Sequence, residues 1–421
     1  MILIKGGTVL TEEGLIGCDV AVDGSSVVAM GPGLADPGGI VVDASGSLVG
    51  PGFVDLHAHF REPGETWKED IHSGSRAAAA GGFTAAVVMP NTVPAIDDPE
   101  LALSLAAGAK DVGLIDAVAA AAITRSRAGE ELSDLESLHA AGVRIFTDDG
   151  DCLESDRLMR RAMEVLAGLP GAVVAQHAED TSKGRDGHIH QGDVSVSLGV
   201  HAIPAAAETA IVARDLAFVE ETGVSYHCQH VSAAGTVDLI RAAKTKGLPV
   251  TAEVTPHHLT FADDSVADLD TNFKMYPPLR SDTDREALRA GLRDRTIDVV
   301  ATDHAPHTVE EKDVPFPEAP RGVIGLETAA SAVFEVYRDP LLLFEVLSTA
   351  PAAIAGFARQ GRHVEVGGPA NLVVFDPSAS WVADQFQSKS ANSPYAGREM
   401  KGRVIATIYE GRLTHALEVT S

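Results

Sequence analysis

The sequence predicts an α/β fold: a closed (β/α)8 TIM barrel with a small composite β domain built from both chain ends. Three observations predict it. Between about 51 and 361, eight short apolar runs alternate with Ala-rich stretches of helical length, the pattern of βα units on a parallel sheet. Glycines stop the helical stretches where a left-handed cap is needed. Both chain ends, 1–50 and 362–421, carry β texture without a helical period.

Taken in order, residues 1–50 alternate β-prone runs (MILI, GTVL, DVAV, SVVAM, GIVVDA) with Gly and Asp turns. The eight barrel strands are expected at 53–57, 84–89, 114–121, 143–147, 172–177, 224–230, 249–255 and 297–302. Among the helices between them, 68–80 is stopped by Gly81 and Gly82, and 205–222 by Gly223. After Arg362 the runs HVEV, ANLVVFDP and VIATIYEGRL return to β texture, so 1–50 and 362–421 are expected to form one β domain beside a barrel of 51–361. No repeat of about 20 to 50 residues recurs along the chain.

Composition agrees with a folded enzyme-sized chain. At 421 residues the chain has room for a barrel of ~250 residues and a further small unit. Hydrophobic residues at 45% and charged residues at 22% exclude a disordered or collagen-like chain. A formal charge of −27 repels phosphate backbones and anionic lipid, which argues against nucleic acid and membrane as partners. Three widely spaced cysteines, Cys18, Cys152 and Cys228, read as reduced thiols. With no signal peptide and no apolar stretch of about 18 residues, a soluble cytoplasmic protein is expected.

In a (β/α)8 barrel the chemistry gathers at the C-terminal ends of the strands. Strand 1 ends in FVDLHAHFREPG, where His57 and His59, one residue apart, face the same side and suit one metal ion. Strand 4 runs into Asp148 and Asp149, strand 5 ends at His177, strand 6 at His230, and strand 8 leads into Asp303. A single histidine at a strand end is usually a hydrogen-bonded structural residue. Four histidines and at least two carboxylates at one barrel mouth instead match the donor set of a two-metal cluster.

The strings GFVDLHAHFREPG, GGFTAAVVMPNTVP, FTDDG, HAED, HVSAAGTVDLIRAAK, VTAEVTPHHL, PPLR, ATDHAPH and NSPYAGREMKGRV resemble the amidohydrolase superfamily and, within it, dihydroorotases of the long, type I class. They extend over nearly the whole chain; HAHFREPG and ATDHAPH are the specific ones. The resemblance implies His57, His59, Asp149, His177, His230 and Asp303 as metal ligands, with Asp149 bridging two zinc ions, although the same set would suit one. It implies substrate contacts from Arg61, Asn91 and His307, and His59, Tyr276, Arg321 and Gly322 are counted with them. The implied reaction is reversible hydrolysis of dihydroorotate to N-carbamoyl-aspartate, with metal-activated hydroxide as nucleophile and Asp303 as general acid and base. Aspartate transcarbamoylase is a candidate partner, and a homo-oligomer is expected.

Hydantoinases, allantoinases and several dihydroorotases bridge their metals with a carbamylated lysine at the end of strand 4. Here no lysine lies between Lys110 and Lys183, so a carboxylate of FTDDG must serve, Asp149 first and Asp148 as the fallback. In so acidic a protein a carboxylate substrate needs local positive charge, which the Arg61 guanidinium can supply with two hydrogen bonds; the bland alternative is a rim ion pair to Glu62 or Glu65. For Asn91 that alternative is an Asx turn before Pro94, and for His307 a loop cap.

Two positions depart from the type I pattern. Tyr276 stands where an Asn usually precedes PPLR, and Arg321-Gly322 stands where a Phe-Gly pair usually touches substrate. Both changes fall on the substrate pocket, not on the metals. His257 and His258 after strand 7 can reach the site or simply hold a loop. Cys228 reads as an inert buried thiol, and Cys152 as lying near the mouth without a basic partner. His188 and His190 fall in a stretch read as a solvated loop, with an extra zinc-scavenging pair as the alternative. Competing readings are a hydantoinase- or allantoinase-type cyclic amidase, a silent scaffold for aspartate transcarbamoylase, and a one-metal deaminase.

Overall fold

The computed structural model describes residues 1–35, 38–184 and 186–417. Five strands open the chain: β1 (Ile2–Thr11), β2 (Gly14–Asp23), β3 (Ser26–Gly31), β4 (Ile40–Asp43) and β5 (Leu48–Pro51). The middle carries β6 (Phe53–Ala58), β7 (Phe83–Val88), β8 (Asp116–Ala119), β9 (Ile145–Phe146) and β10 (Val173–Gln176). It continues through β11 (Ile189–His190), β12 (Ala202–Ile203), β13 (Ser225–Cys228), β14 (Val250–Val254) and β15 (Val299–Val300). β16 (Leu372–Val382), β17 (Glu399–Tyr409) and β18 (Arg412–Ala416) follow near the end.

The two chain ends do share one sheet. Its order is β18-β17-β16-β5-β1-β2-β3, with β4 paired to β1, and the seam between the ends is the antiparallel register Leu372 to Pro51 through Phe375 to Leu48. Ile4, Val9, Val20 and Val49 from the first part pack there with Leu372, Val374 and Ile408 from the last. Burial of each such side chain contributes about 1.5–3 kcal/mol, which holds together segments over 300 residues apart in sequence.

The central strands are parallel, in the orders β6-β7-β8 and β15-β14-β13-β10-β9. Each of the eight expected strand windows overlaps one of them. Isolated parallel bridges join Ala121 to Phe146 and Ala58 to His304. Strands such as FVDLHA and FTAAVV are buried at every residue, which is why they read as continuous apolar runs instead of alternating ones. Leu56, Val87, Ile145, Val173 and Val299 from these strands pack into one cluster with Met89, which follows β7.

The helix expected at 68–80 begins later, as Ile71–Ala80. The Asp70 carboxylate accepts from the Ser73 amide at 2.7 Å, and Ser73 Oγ answers the Asp70 amide, a capping box that fixes the start. Ala205–Thr222 forms as expected and ends on Gly223 at φ 70. The stretch around His188 and His190 is not a solvated loop. Ile189 is buried against Phe261 and Met275, and β11 pairs in parallel with β12. The apolar residue between the two histidines outweighs the polar composition around it.

Candidate functional site

Six side chains meet beyond the C-terminal ends of the parallel strands. His57 lies in β6 and His59 just after it; Asp149 follows β9, His177 β10, His230 β13 and Asp303 β15. All six are buried. Arg61, His230 and Asp303 hold positive φ values of 59°, 31° and 47°. Such backbone costs about 1–3 kcal/mol per residue and persists where the surroundings enforce it, typically at functional sites.

Asp149 stands at the centre. Its Oδ2 lies 3.3 Å from His57 Nε2 and 3.7 Å from His59 Nε2, while its Oδ1 lies 3.6 Å from His177 Nδ1 and 3.5 Å from His230 Nε2. Asp303 Oδ1 sits 3.0 Å from His59 Nε2 and 3.6 Å from His57 Nε2. Donor atoms of His57, His59 and Asp303 fall within 4.8 Å of one another, as do those of His57, Asp149 and His230. His177 stands outside both groups but approaches His230 Nε2 to 2.8 Å. His57 Nε2 and Asp149 Oδ1 are buried without a hydrogen-bond partner among the described residues. Nitrogen and carboxylate donors so arranged fit a divalent cation, which would satisfy the orphaned atoms.

The neighbouring aspartate does something else. Asp148 accepts from the Thr124 amide at 2.9 Å and from Thr124 Oγ1 at 2.5 Å, so it is spent on the loop after β8. Burial penalises charge on Asp149, but His57, His177 and His230 outweigh it and hold the carboxyl well below its usual range. The same opposition, with His59 and His57 prevailing, holds Asp303 at about 2.

A carboxylate outside the expected set stands behind these residues. Glu253, within β14, accepts from His57 Nδ1 at 2.6 Å, His227 Nε2 at 3.0 Å and the His230 amide at 3.1 Å. That assigns the His57 proton to Nδ1 and aims Nε2 at Asp149. Burial opposes ionisation of Glu253, yet His57 and His227 lower its pKa strongly. The signal was a lone acid in the apolar run VTAEV, since a fully buried charge needs partners.

A cavity of about 260 Å³ opens over the cluster, lined by His59, Arg61, Asn91, Asp149, His177, His230, Tyr276, Asp303, His307, Arg321 and Gly322. Every expected substrate contact is therefore in its wall. Arg61 makes no ion pair with Glu62 or Glu65: Glu62 accepts from the Ile71 amide and Glu65 from Lys68, while Arg61 Nε donates to the Pro306 carbonyl at 3.3 Å. Asn91 is not spent on an Asx turn; its Oδ1 lies 2.8 Å from His59 Nδ1 and fixes that ring as Glu253 fixes His57. His307 Nε2 donates to the Arg321 carbonyl at 2.9 Å, and burial with the nearby Arg61 lowers its pKa to about 2, so the ring is neutral.

Tyr276 faces the cavity. Its ring lies 4.6 Å from that of His177, and the Arg321 guanidinium stacks on it at 4.0 Å, so the two departures from the type I pattern touch each other. Arg127, also in the wall, was not anticipated; it pairs with Asp151. His257 and His258 lie in the short helix Pro256–Thr260 instead of the strand end. His258 is held by Thr255 at 2.7 Å and the Pro277 carbonyl at 3.1 Å, a structural role. Cys152 lines an adjoining cavity with Glu179 and Tyr276, but burial raises its thiol pKa; burial does the same to Cys228. Neither thiol is drawn toward the thiolate form that nucleophilic chemistry needs.

Residues 46–235 match the family model described as Dihydro-orotase-like. The dihydroorotase of Pelobacter propionicus is 43% identical over 423 residues, covering 98% of this chain and 99% of that protein. That of Mycobacterium tuberculosis is 44% identical over 406 residues, 94% of each. Among solved structures, the L-hydantoinase (dihydropyrimidinase) of Arthrobacter aurescens superposes with a TM-score of 0.85 at 24% identity, covering 100% of this chain and 97% of its own. The D-hydantoinase of Bacillus sp. AR9 gives 0.82 at 25%, covering 99% and 95%.

Proposed function

The chain belongs to the dihydroorotase family and is a dihydroorotase enzyme, and we propose that its His/Asp centre interconverts dihydroorotate and N-carbamoyl-aspartate on two zinc ions. One observation carries the proposal: Asp149 turns one oxygen to His57 and His59 and the other to His177 and His230, on the floor of a cavity that also holds Arg61, Asn91 and His307. One carboxylate that turns an oxygen to each of two pairs of imidazoles favours two ions, and imidazole with carboxylate donors suits zinc. His57, His59, Asp303 and Asp149 would hold one ion, and Asp149, His177 and His230 the other.

Bound zinc supplies water activated near neutral pH and Lewis-acid polarisation of the ring carbonyl. The protein supplies the rest. Arg61 grips the exocyclic carboxylate, and Asn91, whose oxygen is committed to His59, donates to it through Nδ2. His59, His307, Tyr276, Arg321 and the Gly322 backbone close around the ring. Asp303 takes the proton lost by the attacking water and delivers it to the leaving ring nitrogen. Ring opening creates a second carboxylate that ionises with a pKa near 4, so low pH favours closure and high pH opening.

The single bridges Ala121 to Phe146 and Ala58 to His304 support closure of the parallel strands into a (β/α)8 barrel over 51–361, with 1–50 and 362–421 as the β domain beside it. Unpaired Cys18, Cys152 and Cys228 suit the reducing cytoplasm. No helix among the described residues is long and apolar enough to cross a membrane. Homo-oligomerisation and association with aspartate transcarbamoylase belong to the same proposal. A complete six-residue centre favours an active enzyme over a silent scaffold.

The test is substrate discrimination by zinc-reconstituted protein. Dihydroorotate turns over, hydantoin and dihydrouracil do not, and two zinc ions bind per chain; turnover of hydantoin alone would contradict the assignment.

A further inference from the structure

Asn392 belongs to the segment between β16 and β17, yet all of its side-chain hydrogen bonds go to the rim of the cavity. Its Oδ1 accepts the His307 amide at 3.1 Å, and its Nδ2 donates to the carbonyls of Ala305 and Gly322, each at 3.1 Å. Its own carbonyl accepts the Ile324 amide at 3.0 Å. The side chain is buried and does not itself line the cavity. It bonds instead to the backbone of two separate stretches: one runs from Asp303 to His307, the other carries Arg321 and Gly322.

Resting on the dihydroorotase reading, we propose that Asn392 is a positioning residue for the substrate pocket, a clamp that sets the spacing between the His307 wall and the Gly322 wall. The two walls already stand at contact distance. Gly322 has φ 129°, and a Cβ there would fall 2.7 Å from Ala305 Cβ and 3.2 Å from His307 Nε2. One amide that accepts from one wall and donates to both holds that spacing from behind, without touching substrate. The β domain, through its connecting segment, thereby becomes part of the binding site.

The surroundings are anchored independently of the clamp. Lys274 Nζ binds the carbonyls of Phe316, Pro317 and Ala319, and Lys312 Nζ those of Thr271, Lys274 and Pro320, so the loop leading to Arg321 is tied down by two buried ammonium groups. The segment of Asn392 is pinned by Ser390 Oγ on the Lys68 carbonyl at 2.8 Å and by Tyr395 on Thr260 at 3.0 Å. Loss of Asn392 therefore loosens the pocket without releasing the fold.

Asn392→Ala and Asn392→Asp are to be compared with the zinc-loaded wild type for KM, kcat and bound zinc. The Asp variant keeps the volume but faces two carbonyls with an oxygen, so a packing role tolerates it and a clamp does not. The expected result for both is a rise of about tenfold in the KM for dihydroorotate, with wild-type zinc content and kcat within about threefold. An unchanged KM in either variant overturns the clamp, as does loss of zinc or of folding in both. A wild type that binds zinc but leaves dihydroorotate untouched would overturn the reading beneath it instead.

Discussion

Glu253 Oε1 lies 2.6 Å from His57 Nδ1, so the imidazole nearest the centre of the cluster is oriented by a carboxylate buried in the adjoining sheet. The same carboxylate holds His227 and the His230 amide. Glu253→Gln removes the charge at constant shape, and zinc affinity should fall by about 10- to 100-fold in a competition titration with a chromophoric chelator. Wild-type affinity in that variant would show that the His57 ring is held by packing alone.

Asp148 and Asp149 are adjacent in sequence and opposite in role. Asp149→Asn should abolish zinc binding and turnover together. Asp148→Asn, which weakens only the bonds to Thr124, should retain bound zinc and lose about 1 kcal/mol of stability in denaturant unfolding. Reversed phenotypes would make Asp148 the bridge.

His307 is buried neutral, its pKa lowered to about 2 by burial and then by Arg61, against 6.5 in an unfolded chain. Below pH 6.5 the unfolded chain therefore binds a proton that the folded one does not, and stability is lost as pH falls. His307→Asn should relieve about 2 kcal/mol of the acid-induced loss between pH 7 and pH 5. Parallel stability curves for variant and wild type would place a charged His307 in the fold.

Asp70 caps the helix Ile71–Ala80 and pairs with Lys389; burial slightly opposes its ionisation, but Lys389 and Ser73 prevail and hold its pKa at about 2. Its contribution is complete above pH 4 and lost as pH falls towards 2. Asp70→Ala should cost about 1 kcal/mol at pH 7, with the deficit shrinking over that acid window in urea titrations. A deficit constant with pH would assign the loss to packing.

Why these features were or were not legible follows from the residues. Parallel strands buried on both faces leave continuous apolar runs such as FVDLHA, and polar residues that break them at one end mark the site; hence His57, His177, His230 and Asp303 were readable. Asp149 could be narrowed to two neighbours only, because Thr124, which takes up Asp148, lies on another strand's loop. The helix start at Asp70 was masked by Lys68 and Glu69, good helix formers that instead bond to Glu65 and to the buried His304. Asn392 carries no local signal at all. Its partners lie 70 to 87 residues away, and only the folded chain brings them together.

The central claim is a zinc-dependent dihydroorotase whose proton carrier is Asp303. It is tested most directly by following the loss of ring absorbance of dihydroorotate with zinc-loaded protein, beside a chelated sample and Asp303→Asn. Turnover is expected of the first and of neither control. Turnover that survives chelation, or that survives in Asp303→Asn, would contradict it.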